Sequence, residues 1–159
     1  MSEEIDLKKL LDSCKELGKK NVKEIMSTSV TTLKENGSFI KFAANIELHH
    51  YLAFPVVNDE NEIVGIVSQT DLLKLVLVTG VAGKRMLIEE ESFLAGTSIK
   101  AIMHTPAVTI TPEDTIDKAA KIMFEHGIQS IPVVENKHIT GIISRRDIIF
   151  EIIRTIWEK

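Results

Sequence analysis

The chain has 159 residues, enough for one domain or two very small ones sharing a core, and its 44% hydrophobic and 26% charged residues are ordinary for a globular protein. A net charge of −4 supplies no basic face for nucleic acid, and the longest apolar run, Leu72 to Val81, is interrupted by Lys74 and falls well short of the roughly 20 residues that cross a bilayer. The acidic start Met-Ser-Glu-Glu-Ile-Asp is unlike a secretory signal, and the single cysteine, Cys14, excludes an internal disulfide framework and a multi-cysteine metal site, so the expected setting is a reducing cytoplasm.

Residues 1–21 precede any repeated pattern. Leu7, Leu10, Leu11, Cys14 and Leu17 fall at helical spacing and predict a leading helix ended by Gly18, with Cys14 as a small buried hydrophobe. From Val22 the chain begins a pattern that it later repeats. Val22-Lys23-Glu24-Ile25-Met26 matches Ile99-Lys100-Ala101-Ile102-Met103, and Phe54-Pro55-Val56-Val57 matches Ile131-Pro132-Val133-Val134. Ala43 matches Ala120 and His49 matches His126 at the same offset of 77 positions. Gly65-Ile66-Val67-Ser68-Gln69-Thr70-Asp71 then matches Gly141-Ile142-Ile143-Ser144-Arg145-Arg146-Asp147 at an offset of 76, the lost residue falling in a polar turn.

Each copy, 22–79 and 98–159, predicts the same elements. A short extended stretch (Val30 to Leu33; Ala107 to Ile110) leads to a helix, carried by Phe39, Phe42, Ala43 and Ile46 in the first copy. In the second copy Ile116, Ala119, Ala120 and Met123 carry it, with Asp114 as the expected cap and the alanines lying close on a sheet. Two β-branched runs around a polar turn follow, Pro55 to Val57 with Ile63 to Val67 and Pro132 to Val134 with Ile139 to Ile143, and each reads as a hairpin. A last amphipathic helix starts from Asp71 and from Asp147. The expected class is α+β, two β-α-β-β-α units after an N-terminal helix. One unit alone buries little below about 60 residues, so two are expected to pair their sheets about a pseudo-twofold axis. Residues 80–97, with their acidic run Glu89-Glu90-Glu91, read as a linker with room for a short helix around Met86 to Phe93.

The two copies resemble the cystathionine-β-synthase-type (CBS) family over nearly all of Val22 to Ile153. The likeness is carried by Ile-Met at each start, the aliphatic-Pro-Val-Val segment, and Gly-aliphatic-aliphatic-Ser-x-x-Asp before the last helix. A tandem pair resembles the Bateman module, here expected to stand alone. That resemblance implies a non-catalytic regulatory module binding AMP, ADP, ATP, S-adenosylmethionine or a related ligand in clefts between the repeats. It also implies a homodimer and an effector protein that reads the ligand-bound state.

The residues support such a site on chemical grounds. Ser68 and Ser144 stand where a strand hands over to a helix, whose N-terminal N–H groups and positive dipole end suit phosphate. Asp71 and Asp147 suit the two hydroxyls of a ribose, and Arg145 and Arg146 add donors for phosphate oxygens. By family analogy one cleft combines Ser144, Arg145, Arg146 and Asp147 with Thr31, Tyr51, Leu52 and Ala53. The other combines Ser68 and Asp71 with Val108, Ile128, Gln129 and Ser130. Gln69-Thr70 stands where the second copy has Arg145-Arg146, so the cleft of Asp147 is expected to prefer the more phosphorylated ligand.

Plainer readings compete. Ser-x-x-Asp before an apolar run is also a capping-box pattern, with the carboxylate reaching back to the serine. Arg146 alone reads as a solvated surface residue. His49, His50 and His126 lack a carboxylate or cysteine at metal-ligand spacing, so no metal is expected and they read as residues that line helix ends near the clefts or simply face solvent. The stripe Ile148, Ile149, Ile152, Ile153, Ile156 and Trp157 serves either core packing or a homodimer surface. Two other functions remain open: a constitutive dimerisation scaffold with vestigial clefts, and a nucleotide-processing enzyme, which the absence of a second acid, base or nucleophile disfavours.

Overall fold

The computed structural model describes residues 7–82 and 96–157. The short helix expected around Met86 to Phe93 lies outside them. The elements are α1 (Leu7–Lys19), a 3-10 turn (Val22–Glu24), β1 (Leu33–Lys34), α2 (Phe39–His49), β2 (Ala53–Val57), β3 (Ile63–Ser68), α3 (Gln69–Ala82), α4 (Ile99–Ile102), α5 (Ile116–His126), β4 (Ser130–Glu135), β5 (His138–Ser144) and α6 (Arg145–Trp157). The α+β class and the duplicated string are present. The opening strand of the second copy is reduced to one bridge, Ile110 to Val133.

The chain forms two compact units that do not follow the repeats: Thr31–Ala107, and Met1–Val30 with Val108–Lys159. In the first, β1 runs parallel to β2 (Leu33 opposite Val56) and β2 antiparallel to β3, with Ala53 opposite Ser68. Leu33, Phe42, Phe54, Val56, Val67 and Ile99 form its buried core. The Phe42 and Phe54 rings meet edge-on at 6.1 Å, a favoured aromatic geometry. In the other unit β4 pairs antiparallel with β5, Ser130 opposite Ser144, over a core of Val22, Ile110, Ala119, Met123, Ile131, Val133 and Ile143.

The opening segments have therefore changed places. Val22, from the first copy, is fully buried against the second hairpin; Ile99, from the second, is buried against the first. Matching bridges hold them. Ser27 and Ile142 exchange two backbone hydrogen bonds of 2.9 Å, and His104 and Ile66 exchange bonds of 2.8 and 3.1 Å. Glycine permits both approaches. A Cβ on Gly141 would lie 2.9 Å from the Ser27 carbonyl oxygen, and one on Gly65 would lie 2.7 Å from that of His104.

The turns account for the change of offset. Asn136 and Lys137 both have positive φ (49° and 67°), a two-residue loop of the kind that matches strand twist. The first hairpin uses the longer Asn58 to Glu62 loop, in which the Asn58 side-chain oxygen accepts from the Glu62 N–H at 2.9 Å.

Several expectations are corrected. Helix α1 runs past Gly18 to Lys19; of its apolar residues Leu17 is buried, Leu7 and Leu11 are exposed, and Cys14 is half-buried rather than buried. Asp114 is not the cap of α5. Its carboxylate turns back to the Thr111 N–H and hydroxyl (2.8 and 2.9 Å), and Thr115 accepts from Lys118 N–H as N-cap. Ala120 is exposed, and Ala119, the counterpart of Phe42, is the alanine against the sheet. The last helices begin at Gln69 and Arg145, two residues before the aspartates. No residue of α6 is buried: Ile149, Phe150, Ile153 and Trp157 are exposed, while Ile148 packs on the core.

Candidate ligand-binding site

Each Ser-x-x-Asp motif straddles the junction of a strand and a helix, with the serine ending the strand. The carboxylate at the third helical position reaches back as the capping reading requires. Asp71 Oδ2 accepts from both the N–H and the hydroxyl of Ser68 at 2.8 Å. Asp147 Oδ2 accepts the same two bonds from Ser144 at 2.7 Å, and the Asp147 N–H donates to Ser144 Oγ at 3.2 Å. Capping therefore consumes one carboxylate oxygen in each motif and leaves the other for a second partner.

The two motifs differ at that second oxygen. His104 Nε2 lies 2.7 Å from Asp71 Oδ1, and Lys74 Nζ lies 3.8 Å from the same atom. Asp71 is buried, with 4% of its side chain exposed, whereas the bonded imidazole is 59% exposed. Asp147 is half-buried, and among the described residues nothing bonds its Oδ1. His104 escaped the sequence reading. The available signal is its match to Ser27 at the repeat offset, but a match between copies does not say which hairpin an opening segment docks on.

The residue after each serine ties the helix to the strand entry. Gln69 N–H donates to the Leu52 carbonyl at 3.0 Å and its side-chain amide to the Tyr51 carbonyl at 3.0 Å. Arg145 does the same with N–H to Gln129 (2.9 Å) and Nε to Ile128 (3.2 Å), which orients a guanidinium whose Nη groups bond nothing among the described residues. Thus Ser68, Gln69 and Asp71 come together with Tyr51, Leu52 and Ala53, and Ser144, Arg145 and Asp147 with Ile128, Gln129 and Ser130. Each unit holds the serine-aspartate pole of one expected set and the strand entry of the other. Thr31 and Val108 are half-buried residues at the unit boundaries.

The remaining candidates have local roles. Arg146 sits over the Phe150 ring at 5.0 Å on the exposed face of α6, a cation–π contact one helical turn apart. His49 ends α2 and stacks on Tyr51 at 5.2 Å, and His50 is its left-handed C-cap; His126 ends α5 before Gly127. Among the described residues there is no group of three or more potential metal ligands, and no helix is long and apolar enough to cross a membrane. An open groove of about 490 Å³ beside α1, edged by Lys8, Asp12, Glu16 and Lys20, holds none of the expected ligand residues.

The family model "CBS domain" matches twice, over residues 22–78 and 99–154. The uncharacterized protein MJ1404 of Methanocaldococcus jannaschii is 34% identical over 132 residues, 80% of this chain and 31% of that protein. The chain also spans 41% of a second uncharacterized protein of that organism, so it covers well under half of either relative. The CBS domain of a bacterial CNNM/CorC family Mg2+ transporter, solved with ATP, superposes with a TM-score of 0.72 at 22% identity, covering 92% of this chain and 96% of that one. The CBS domain pair of protein MJ0100, solved with 5'-methylthioadenosine and S-adenosyl-L-methionine, gives 0.68 at 24%, covering 82% and 94%. At these identities the likeness is one of fold. The doubled family match, over two copies that carry the same strand–Ser-x-x-Asp–helix junction, shows that the chain belongs to the CBS domain family as a tandem pair.

Proposed function

We propose that the chain is a non-catalytic regulatory module that binds an adenosine-containing ligand (AMP, ADP, ATP or S-adenosylmethionine) and signals its occupancy to an effector protein. The observation that carries this reading is the Asp147 pole. Ser144 holds the carboxylate by one oxygen, no described residue bonds the other, which suits the hydroxyls of a ribose, and Arg145 at the start of the same helix has guanidinium Nη groups that bond nothing among the described residues and suit phosphate. The base-contacting residues, Thr31, Tyr51, Leu52 and Ala53 for this site and Val108, Ile128, Gln129 and Ser130 for that of Asp71, are taken from the family resemblance. The bound ATP, methylthioadenosine and S-adenosylmethionine of the two fold neighbours support adenosine as the common moiety.

Chemistry on the ligand is disfavoured. Ser68, Asp71 and His104 are adjacent, but the serine hydroxyl donates to the carboxylate and not to the imidazole, so the three do not form the serine–imidazole pair that activates a nucleophile in a triad. Titration calorimetry with the four ligands tests the proposal. Binding by at least one, lost in Asp147→Ala, is expected; no binding by any, or undiminished binding after Asp71→Ala and Asp147→Ala together, refutes it. A homodimer is proposed alongside, supported by the exposed Ile149, Phe150, Ile153 and Trp157 on α6. Light scattering of the native chain and of Ile153→Glu tests it, with a dimer that the charge disrupts as the expected outcome. A dimer whose clefts bind nothing would favour the scaffold function instead.

A further inference from the structure

The two poles are built on the same backbone, and the residue docked beside the aspartate differs between them. His104 pairs with Ile66 through two backbone hydrogen bonds (2.8 and 3.1 Å), and Ser27 pairs with Ile142 through two of 2.9 Å. Ile66 and Ile142 lie two residues before Ser68 and Ser144. The side chains at 104 and 27 therefore leave from matching positions beside matching aspartates. The imidazole reaches the carboxylate; the serine hydroxyl makes no hydrogen bond among the described residues. We infer that His104 is a specificity-determining residue that closes the Asp71 pole to a ribose, leaving the Asp147 pole as the one that takes an adenosine ligand tightly.

A ribose presents two adjacent hydroxyls, and a carboxylate binds them by accepting from both. At Asp71 one oxygen already serves Ser68 and the other His104. A ribose must displace the imidazole and break its 2.7 Å hydrogen bond to a carboxylate that is only 4% exposed. At Asp147 the same hydroxyls find an oxygen that no described residue bonds. The inequality thus lies at the sugar as well as at the phosphate end, where Gln69 replaces Arg145.

The inference rests on the adenosine reading, and AMP binding by four forms of the chain tests both: wild type, Asp147→Ala, His104→Ser, and the double variant. Serine is the residue of the matched position, so His104→Ser restores the arrangement of the other pole. Expected results are one tight site in wild type, its loss in Asp147→Ala, and AMP binding about tenfold or more tighter in the double variant than in Asp147→Ala alone. His104→Gln, which keeps a donor of similar reach, should stay closed. Where Asp147→Ala does not fold, Asp147→Asn, which keeps a capping oxygen, takes its place. If AMP binds wild type, is lost in Asp147→Ala and gains nothing from His104→Ser, the role of His104 is overturned alone. Where wild type binds ADP, ATP or S-adenosylmethionine and not AMP, that ligand replaces AMP as the probe; if none of the four chains binds any of them, the adenosine reading falls and this inference with it.

Discussion

Gly141 is where a single added carbon tests the placement of the opening segments. Alanine there would set its Cβ 2.5 Å from Met26 Sδ and 2.9 Å from the Ser27 carbonyl oxygen. The methionine can swing aside, but the carbonyl cannot, because it accepts from Ile142 N–H at 2.9 Å while Ser27 N–H donates back to Ile142. Two net hydrogen bonds at about 1 kcal/mol each are at risk, and overpacking adds about 1–3 kcal/mol. The lower unfolded-state entropy of alanine returns about 0.4–1 kcal/mol. The balance is a destabilisation of roughly 2–4 kcal/mol, or about 5–15 °C in Tm for a chain of this length. Differential scanning calorimetry measures the shift, and hydrogen exchange at the Ser27 and Ile142 amides locates it. Gly65→Ala should behave alike, since its Cβ meets the His104 carbonyl oxygen at 2.7 Å. Gly18→Ala is the control: it lies within α1, its nearest neighbour would be Asp117 Cβ at an ordinary 3.4 Å, and the gain in helix propensity should leave Tm unchanged or raised. An unchanged Tm in both Gly141→Ala and Gly65→Ala would refute the close approach of the opening segments to the opposite hairpins.

Ser144→Ala removes the hydroxyl that both donates to Asp147 and accepts from its N–H, and should cost about 0.5–2 kcal/mol by chemical denaturation without ligand. An unaffected midpoint would show that the cap is energetically idle. Asp114 supplies a pH test. Burial raises its pKa, but hydrogen bonds from Lys118 and Thr111 outweigh burial and hold it below the ordinary 3.8. A depressed carboxyl contributes stability that is fully present above 3.8 and lost as pH falls through the lower folded value. The Tm gap between wild type and Asp114→Asn should therefore be largest near neutrality and shrink as pH falls below 3.8, and a gap independent of pH would contradict the carboxylate's role.

Much of the architecture was legible because its signals are local. The hairpins follow from β-branched runs around polar turns, and the drop in offset from 77 to 76 marks the place where Asn136 and Lys137 make the shorter loop. Helix phase was less secure. Ala119 and Ala120 both fit a 3.6-residue period, and only the packed helix shows that Ala119 faces the sheet. At the start of α5 two oxygen-bearing side chains competed for the cap, and Thr115 took it because Asp114 was held by Thr111 and Lys118.

By itself the sequence determined the duplicated β-α-β-β-α string, its family, and the two Ser-x-x-Asp junctions with their local capping bonds. Tertiary structure decided where the opening segments dock, and through that the partner of Asp71. The physical reason is that hydrophobic patterning states that Val22, Ile99 and Met103 must leave water, and burial of apolar area has no direction. Two related hairpins offered two nearly equivalent surfaces, and backbone bridges at Ile66 and Ile142 with glycines at 65 and 141 admitted the crossed arrangement. His104 reaches a carboxylate 33 residues away only because of that crossing.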